Sequence, residues 1–134
     1  MLLLDTSTMI FAASGMISIE KRILKDKDKI RLCAPSVAEF LQGTYSLPKG
    51  KNRQNEIKLY QDLFGDFPVL SFDYYAAQEF AKIHAEMKDK KIQPPGQIDI
   101  MISAIARLHN FKVITDNIKD FKRIPRLKSE NWVK

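Results

Sequence analysis

The chain has 134 residues, 45% of them hydrophobic and 28% charged, which sustains one apolar core, leaves no comfortable room for two domains and excludes a wholly disordered polypeptide. Its 22 Lys and Arg against 16 Asp and Glu give a formal net charge of +6, a long-range field that draws in polyanions, nucleic acid first among them. Cys33 is the only cysteine; it excludes an intrachain disulfide and points by default to a cytosolic, cytoplasmic setting.

Residues 1–134 are therefore expected to form a single domain. Leu2 to Leu4 reads as a short, fully buried strand. The run is apolar enough to raise a signal peptide, but Asp5 interrupts it and no basic segment precedes it. No apolar run is long enough to span a membrane. Thr6-Ser7-Thr8 offers hydroxyl caps to a helix carrying Met9, Ile10, Phe11 and Ala13, and a charged stretch follows from Glu20 through Lys29. Ile30 to Ala34 is a second strand, after which Pro35 and Ser36 open a helix with Val37, Phe40 and Leu41 inward, ending at Gly43.

Ser46 to Arg53, with Pro48 and Gly50, reads as a connector before a helix through Ile57, Leu59, Tyr60, Leu63 and Phe64 that Gly65 stops. Val69 to Phe72 is a third strand, with Asp73 as N-cap of a long helix keeping Ala76, Phe80, Ile83 and Met87 on one stripe. Pro94-Pro95-Gly96 punctuates the chain before a helix with Ile98, Ile102, Ile105 and Leu108 at helical intervals. Lys112 to Thr115 is a fourth strand and Asp120 to Arg123 a short helical turn. Strands alternating with helices imply an α/β fold with a mainly parallel sheet covered on both faces, whose sites gather at the carboxyl ends of the strands.

Four acids fall at such ends or at helix starts: Asp5 after the first strand, Asp116 after the fourth, and Glu39 and Asp99 near the beginnings of helices. Each has a structural explanation taken singly. Asp5 could cap the first helix, Ser36-x-x-Glu39 could be a capping box, Asp99 a first-turn acid and Asp116-Asn117 a turn pair. Taken together they put uncompensated charge at one partly buried edge, where a divalent cation is the natural partner. An all-carboxylate set without a His or Cys cluster suits Mg2+. His84 and His109 form no zinc pattern and are expected to be structural or solvent-facing.

Leu4-Asp5-Thr6-Ser7, Ser36-x-x-Glu39, the run Asp99 to Ala106, and Thr115-Asp116-Asn117-x-x-Asp120-Phe121, in that order, resemble the PIN-domain ribonucleases, and among them the VapC-type toxins. The resemblance runs from Leu2 to Trp132 and includes Glu130-Asn131-Trp132, which looks like the family's final strand. It implies a three-layer α/β/α sandwich with a four- to five-stranded sheet. It also implies that Asp5 and Asp99 are the principal Mg2+ ligands, with Mn2+ as a possible substitute, and that Glu39 is the second acid. Asp116 is favoured as the fourth acid and Asp120 is the alternative. Thr6, Ser7, Thr115 and Asn117 would support the acids.

The chemistry so implied is hydrolysis of RNA by an activated water, leaving a 5′-phosphate and a 3′-hydroxyl. Lys49, Lys51 and Arg53 on the connector, and Lys119, Lys122 and Arg123 after the fourth strand, would grip phosphates without choosing sequence. Exposed bases could stack on Tyr45, Tyr74 or Tyr75. A toxin further implies a cognate antitoxin that inserts a segment into the acidic groove, and homodimerisation through helical faces. The competing reading is a non-catalytic RNA-binding or protein-interaction module whose acids only cap helices. A dehalogenase-like phosphatase needs a second aspartate where Ser7 stands.

Overall fold

The computed structural model describes residues 1–133. Five short parallel strands form one sheet in the order β3-β2-β1-β4-β5: β1 (Leu2–Leu4), β2 (Ile30–Cys33), β3 (Val69–Leu70), β4 (Lys112–Ile114) and β5 (Lys128–Glu130). Around it run α1 (Thr6–Ala13), α2 (Ile17–Lys25), α3 (Ala34–Tyr45), α4 (Lys51–Phe64), α5 (Tyr74–Asp89), α6 (Gln97–His109) and α7 (Ile118–Phe121). No helix among the described residues is long and apolar enough to cross a membrane.

The strands are apolar runs because both faces of a parallel sheet are covered, so alternate residues feed two different cores. Leu4, Ile30, Leu32 and Ile114 join Met9, Ile19, Phe40, Phe64 and Trp132 on the side of α1 to α4. Leu3, Cys33 and Val113 join Ala76, Ile102, Ile105 and Phe121 on the side of α5 to α7. The expected α/β/α sandwich is what forms.

Several boundaries differ from expectation, each for a physical reason. α2 runs into the charged stretch, since Ile19 and Ile23, four residues apart, are both buried and anchor a helix there. β2 stops at Cys33, because Ala34 and Pro35 already occupy the first helical positions of α3, where the fixed φ of proline fits. That helix runs through Gly43 to Tyr45, with Phe40 and Thr44 buried beneath its last turns. The connector spans only 46–50, and Gly50 closes it at φ +147°, which demands glycine.

β3 is two residues long because Phe72 leaves the sheet to pack edge-on against Phe80. Asp73 caps α5 as expected, its Oδ1 accepting from Ala76 N at 2.9 Å. In α6 the apolar stripe is buried at Ile102 and Ile105, whereas Leu108 is exposed near the helix end. The last helical turn starts two residues early at Ile118, and the final strand is Lys128–Glu130 rather than 130–132. Trp132 lies beyond that strand and is buried, donating through Nε1 to Glu130 at 2.9 Å.

Candidate active site

The chain moves outward from β1 to β2 and β3 on one side and later to β4 and β5 on the other, so the order reverses at β1/β4, where an open α/β sheet has its natural crevice. Asp5 stands there. Its N–H donates to Ile114 O at 3.0 Å, Thr8 Oγ1 donates to the same carbonyl at 2.8 Å, and Thr115 N donates to Glu130 O at 3.0 Å. These bonds fasten the carboxyl ends of β1, β4 and β5 to the start of α1.

Asp5 does cap α1, its Oδ1 accepting from Thr8 N at 2.9 Å, but it also collects two side-chain hydroxyls. Ser7 Oγ donates to it at 2.8 and 3.0 Å, and Thr115 Oγ1 at 2.5 Å. Each hydroxyl in turn accepts a backbone N–H from the loop after β4, Ser7 from Asp116 at 3.0 Å and Thr115 from Asn117 at 2.8 Å. Because those N–H groups occupy the oxygens, the hydroxyl protons point at the carboxylate. Burial pushes Asp5 above its ordinary value, and the bonds from Thr115, Thr8 and Ser7 oppose that rise. Ser7 and Thr115 thus bond Asp5 through their side chains, and Asn117 joins the network through its backbone N–H. Thr6 behaves differently: its buried hydroxyl has no hydrogen-bond partner among the described residues.

Asp99 lies in the first turn of α6, half-buried. Its carboxyl is pushed up to about 6, first by burial and then by the fields of Asp5, Asp120 and Glu39. Four carboxylates from four segments thus converge electrostatically. Glu39 is not in a capping box, since α3 begins at Ala34 and Ser36 Oγ turns back to donate to Cys33 O at 3.0 Å. Glu39 is exposed and has no hydrogen-bond or ion-pair partner among the described residues. Asp116 turns toward the end of β5, where Asn131 Nδ2 donates to its Oδ1 at 3.3 Å. Asp120 pairs with Arg123 at 2.8 Å.

The basic residues separate into two kinds. Arg53 is engaged in holding the end of α3, donating to Leu47 O at 2.9 Å and Tyr45 O at 3.0 Å. Arg123 bridges Asp120 and, at 3.3 Å, the carbonyl of Gln93 in the loop leading to α6. Lys49 and Lys51 are exposed near the start of α4, and Lys119 and Lys122 border a cleft of about 530 Å³ with Asp116, Ile118 and Asn131. Tyr45, Tyr74 and Tyr75 are exposed. His84 contacts Gln97 at 3.2 Å and packs on Phe80.

Sequence reasoning missed Asn131 and Gln93, because a single amide or a loop carbonyl carries no periodic signal. Among the described residues no group of three or more His, Cys, Asp or Glu side chains forms a preformed metal cage. Magnesium does not require one, since it binds through one or two carboxylates and keeps several waters. The all-oxygen donors and the mutual repulsion felt at Asp99 fit such an ion.

The PIN domain family matches residues 2–127. Ribonuclease VapC2 of Haemophilus influenzae is 27% identical over 132 residues, covering 98% of this chain and 97% of the relative. The tRNA(fMet)-specific endonuclease VapC of Salmonella typhimurium is 28% identical over 131 residues, with 97% and 96% covered. The crystal structure of DNA-bound VapBC from Salmonella typhimurium superposes with a TM-score of 0.88 at 26% identity, covering 98% of this chain and 97% of that one. With the fold, the acid-lined switch point and the family match in agreement over nearly its whole length, the chain belongs to the PIN domain family.

Proposed function

We propose that the chain is a magnesium-dependent endoribonuclease, the toxin of a toxin–antitoxin pair, in which Asp5, Glu39, Asp99 and Asp120 form the acidic centre. The observation that carries this is Asp99, raised to about 6 by burial and by three other carboxylates at the carboxyl edge of a sheet in a protein of net charge +6. Relatives named ribonuclease and tRNA(fMet)-specific endonuclease support RNA as substrate. Asp120 takes the fourth place because its charge acts on Asp99, while Asp116 is turned to Asn131.

A bound Mg2+ would supply Lewis-acid polarisation of the phosphodiester and ease deprotonation of water. Asp5 and Asp99 would hold it, with Asp5 fixed by Ser7, Thr8 and Thr115. Glu39, unpaired and exposed, would orient the attacking water for in-line displacement. Lys49 and Lys51 on one flank and Lys119 and Lys122 on the other would neutralise neighbouring phosphates.

The partner is an antitoxin that covers the acidic centre in a cytosolic setting. Exposed Ile17 and Leu24 on α2 offer apolar surface for a second copy of the chain.

Total RNA incubated with purified protein should be cut with Mg2+ or Mn2+ and remain intact in EDTA, with 5′-phosphates at the new ends. RNA that is bound but never cut under any divalent ion would replace this reading with the binding module. Thr115→Val should lower metal affinity or activity about 10- to 100-fold, because it removes a bond that orients Asp5 and an acceptor for Asn117 N. Thr115→Ser should keep both, and a magnesium titration of the cleavage rate separates the two variants.

A further inference from the structure

A cleft beyond β4 and β5 is lined by Asp116, and of its residues only Lys119 and Lys122 have a part in the nuclease reading. Its lining is mixed: the carboxylate of Asp116, the amide of Asn131, the aliphatic side of Ile118, and Lys119 and Lys122 at the rim. At about 530 Å³ it falls within the range of roughly 300–1,000 Å³ typical of small-ligand pockets. The two polar side chains are held in place. The backbone of Asp116 is fixed by its N–H on Ser7 Oγ at 3.0 Å and its side chain by Asn131, whose own Oδ1 accepts from Val133 N at 2.7 Å. That last bond sets the amide with Nδ2 toward Asp116, to which it donates at 3.3 Å.

The pair then presents a definite pattern. Asp116 keeps Oδ2 free among the described residues, and one Asn131 amide hydrogen remains unspent. A ligand edge matching them carries two adjacent donors for the carboxylate and one acceptor for the amide. Guanine has that edge, with N1–H and N2–H beside O6. Adenine and cytosine offer a single exocyclic donor next to an acceptor, and uracil places its one donor between two acceptors, so each leaves a carboxylate oxygen facing a lone pair. The edge is free only in unpaired RNA, the form in which bases are read by side chains.

The geometry points to this cleft as a guanine-reading subsite for single-stranded RNA, with Asp116 and Asn131 on the Watson–Crick edge, Ile118 against the base and Lys119 and Lys122 on the flanking phosphates. This rests on the nuclease reading and deepens it by giving one position of sequence choice. It also gives a role to an acid after β4 whose side chain meets Asn131.

A randomised single-stranded RNA pool, cut by the purified protein with magnesium and sequenced at the new 5′ ends, tests it. Wild-type cuts should show guanine enriched at one fixed position relative to the scissile bond. Asp116→Asn and Asn131→Ala should each lower that enrichment by roughly tenfold or more, with cutting continuing where other bases stand. Unselective wild-type cutting, or enrichment unchanged in both variants, would overturn the subsite. Asp116→Asn silent at every position would overturn it too, making Asp116 a member of the acidic centre.

A binding measurement independent of cleavage separates this failure from failure of the nuclease reading. Guanosine 5′-monophosphate, and not adenosine 5′-monophosphate, should shift the side-chain amide resonance of Asn131. A selective shift with no cleavage would keep the subsite and sink the nuclease, whereas equal or absent shifts would sink the subsite.

Discussion

Asp99→Asn is expected to reduce RNA cleavage by about 10²- to 10³-fold or more and, in the metal-free protein, to raise thermal stability at neutral pH. The two effects have one cause. An ordinary aspartate in the first turn of a helix is favoured by the macrodipole, by about 0.3–1 kcal/mol, so its removal lowers stability. Asp99 carries the opposite sign because burial and the charges of Asp5, Asp120 and Glu39 raise its carboxyl from 3.8 to about 6.

A raised carboxyl means the folded protein holds its proton more tightly than the unfolded chain does, so stability falls as pH rises from about 4 to 6 and stays reduced above that. With solvent screening at this half-buried position, the loss amounts to about 1–2 kcal/mol, larger than the dipole gain. Asparagine removes the charge and with it the loss. Melting curves of both proteins in EDTA at pH 4 and pH 7.5 decide the matter. The variant should gain on wild type only at the higher pH, and a variant that melts lower at pH 7.5 would refute the clustered-carboxylate account. Saturating Mg2+ should stabilise wild type, by about 2.7 kcal/mol at one hundred times its dissociation constant, and the variant much less.

The parts of this site that were legible in the sequence are those where an apolar run ends abruptly in a carboxylate or hydroxyl. Leu2–Leu4 followed by Asp5, and Lys112–Ile114 followed by Thr115 and Asp116, could be placed at strand ends because a buried strand has a compositional signal and its first polar residue marks the edge. The choice between Asp116 and Asp120 was not legible, since both follow the same strand by a few residues. Only their surroundings in the structure separate them, since the charge of Asp120 in α7 acts on Asp99 while Asp116 meets Asn131. Likewise Ser36-x-x-Glu39 has the letters of a capping box, but Pro35 favours an earlier helix start and so releases Glu39 from that duty. Arg53 and Arg123 read as free cations, yet their partners are carbonyls and a carboxylate that no local pattern announces.

Arg107→Ala should destabilise the protein by about 3–5 kcal/mol, a large share of the roughly 5–15 kcal/mol that holds a domain folded. Its side chain is 5% exposed and its guanidinium spans Glu79 at 2.7 Å, Glu86 at 2.8 Å and the carbonyl of Pro125 at 3.1 Å, joining α5, α6 and the turn before β5. Alanine would leave the partly buried Glu79 without its cation and Glu86 with only the exposed Arg126. Arg126 also meets Glu86, at 2.6 Å, but is 71% exposed, so Arg126→Ala should cost no more than about 1 kcal/mol. The pH dependence follows from Glu86. Burial would raise its carboxyl, yet hydrogen bonds from Arg126 and Arg107 outweigh burial and hold it below the ordinary value of 4.5. That stability is fully present above about pH 4.5 and is lost as pH falls through the lower folded value. In Arg107→Ala this acid limb should flatten, and adding Glu79→Gln should recover part of the loss by removing the unpaired charge. Urea denaturation at pH 7 and pH 3.5 measures both effects; a single variant within about 1 kcal/mol of wild type would show that packing of α5 on α6, which positions Asp99, does not depend on this cluster.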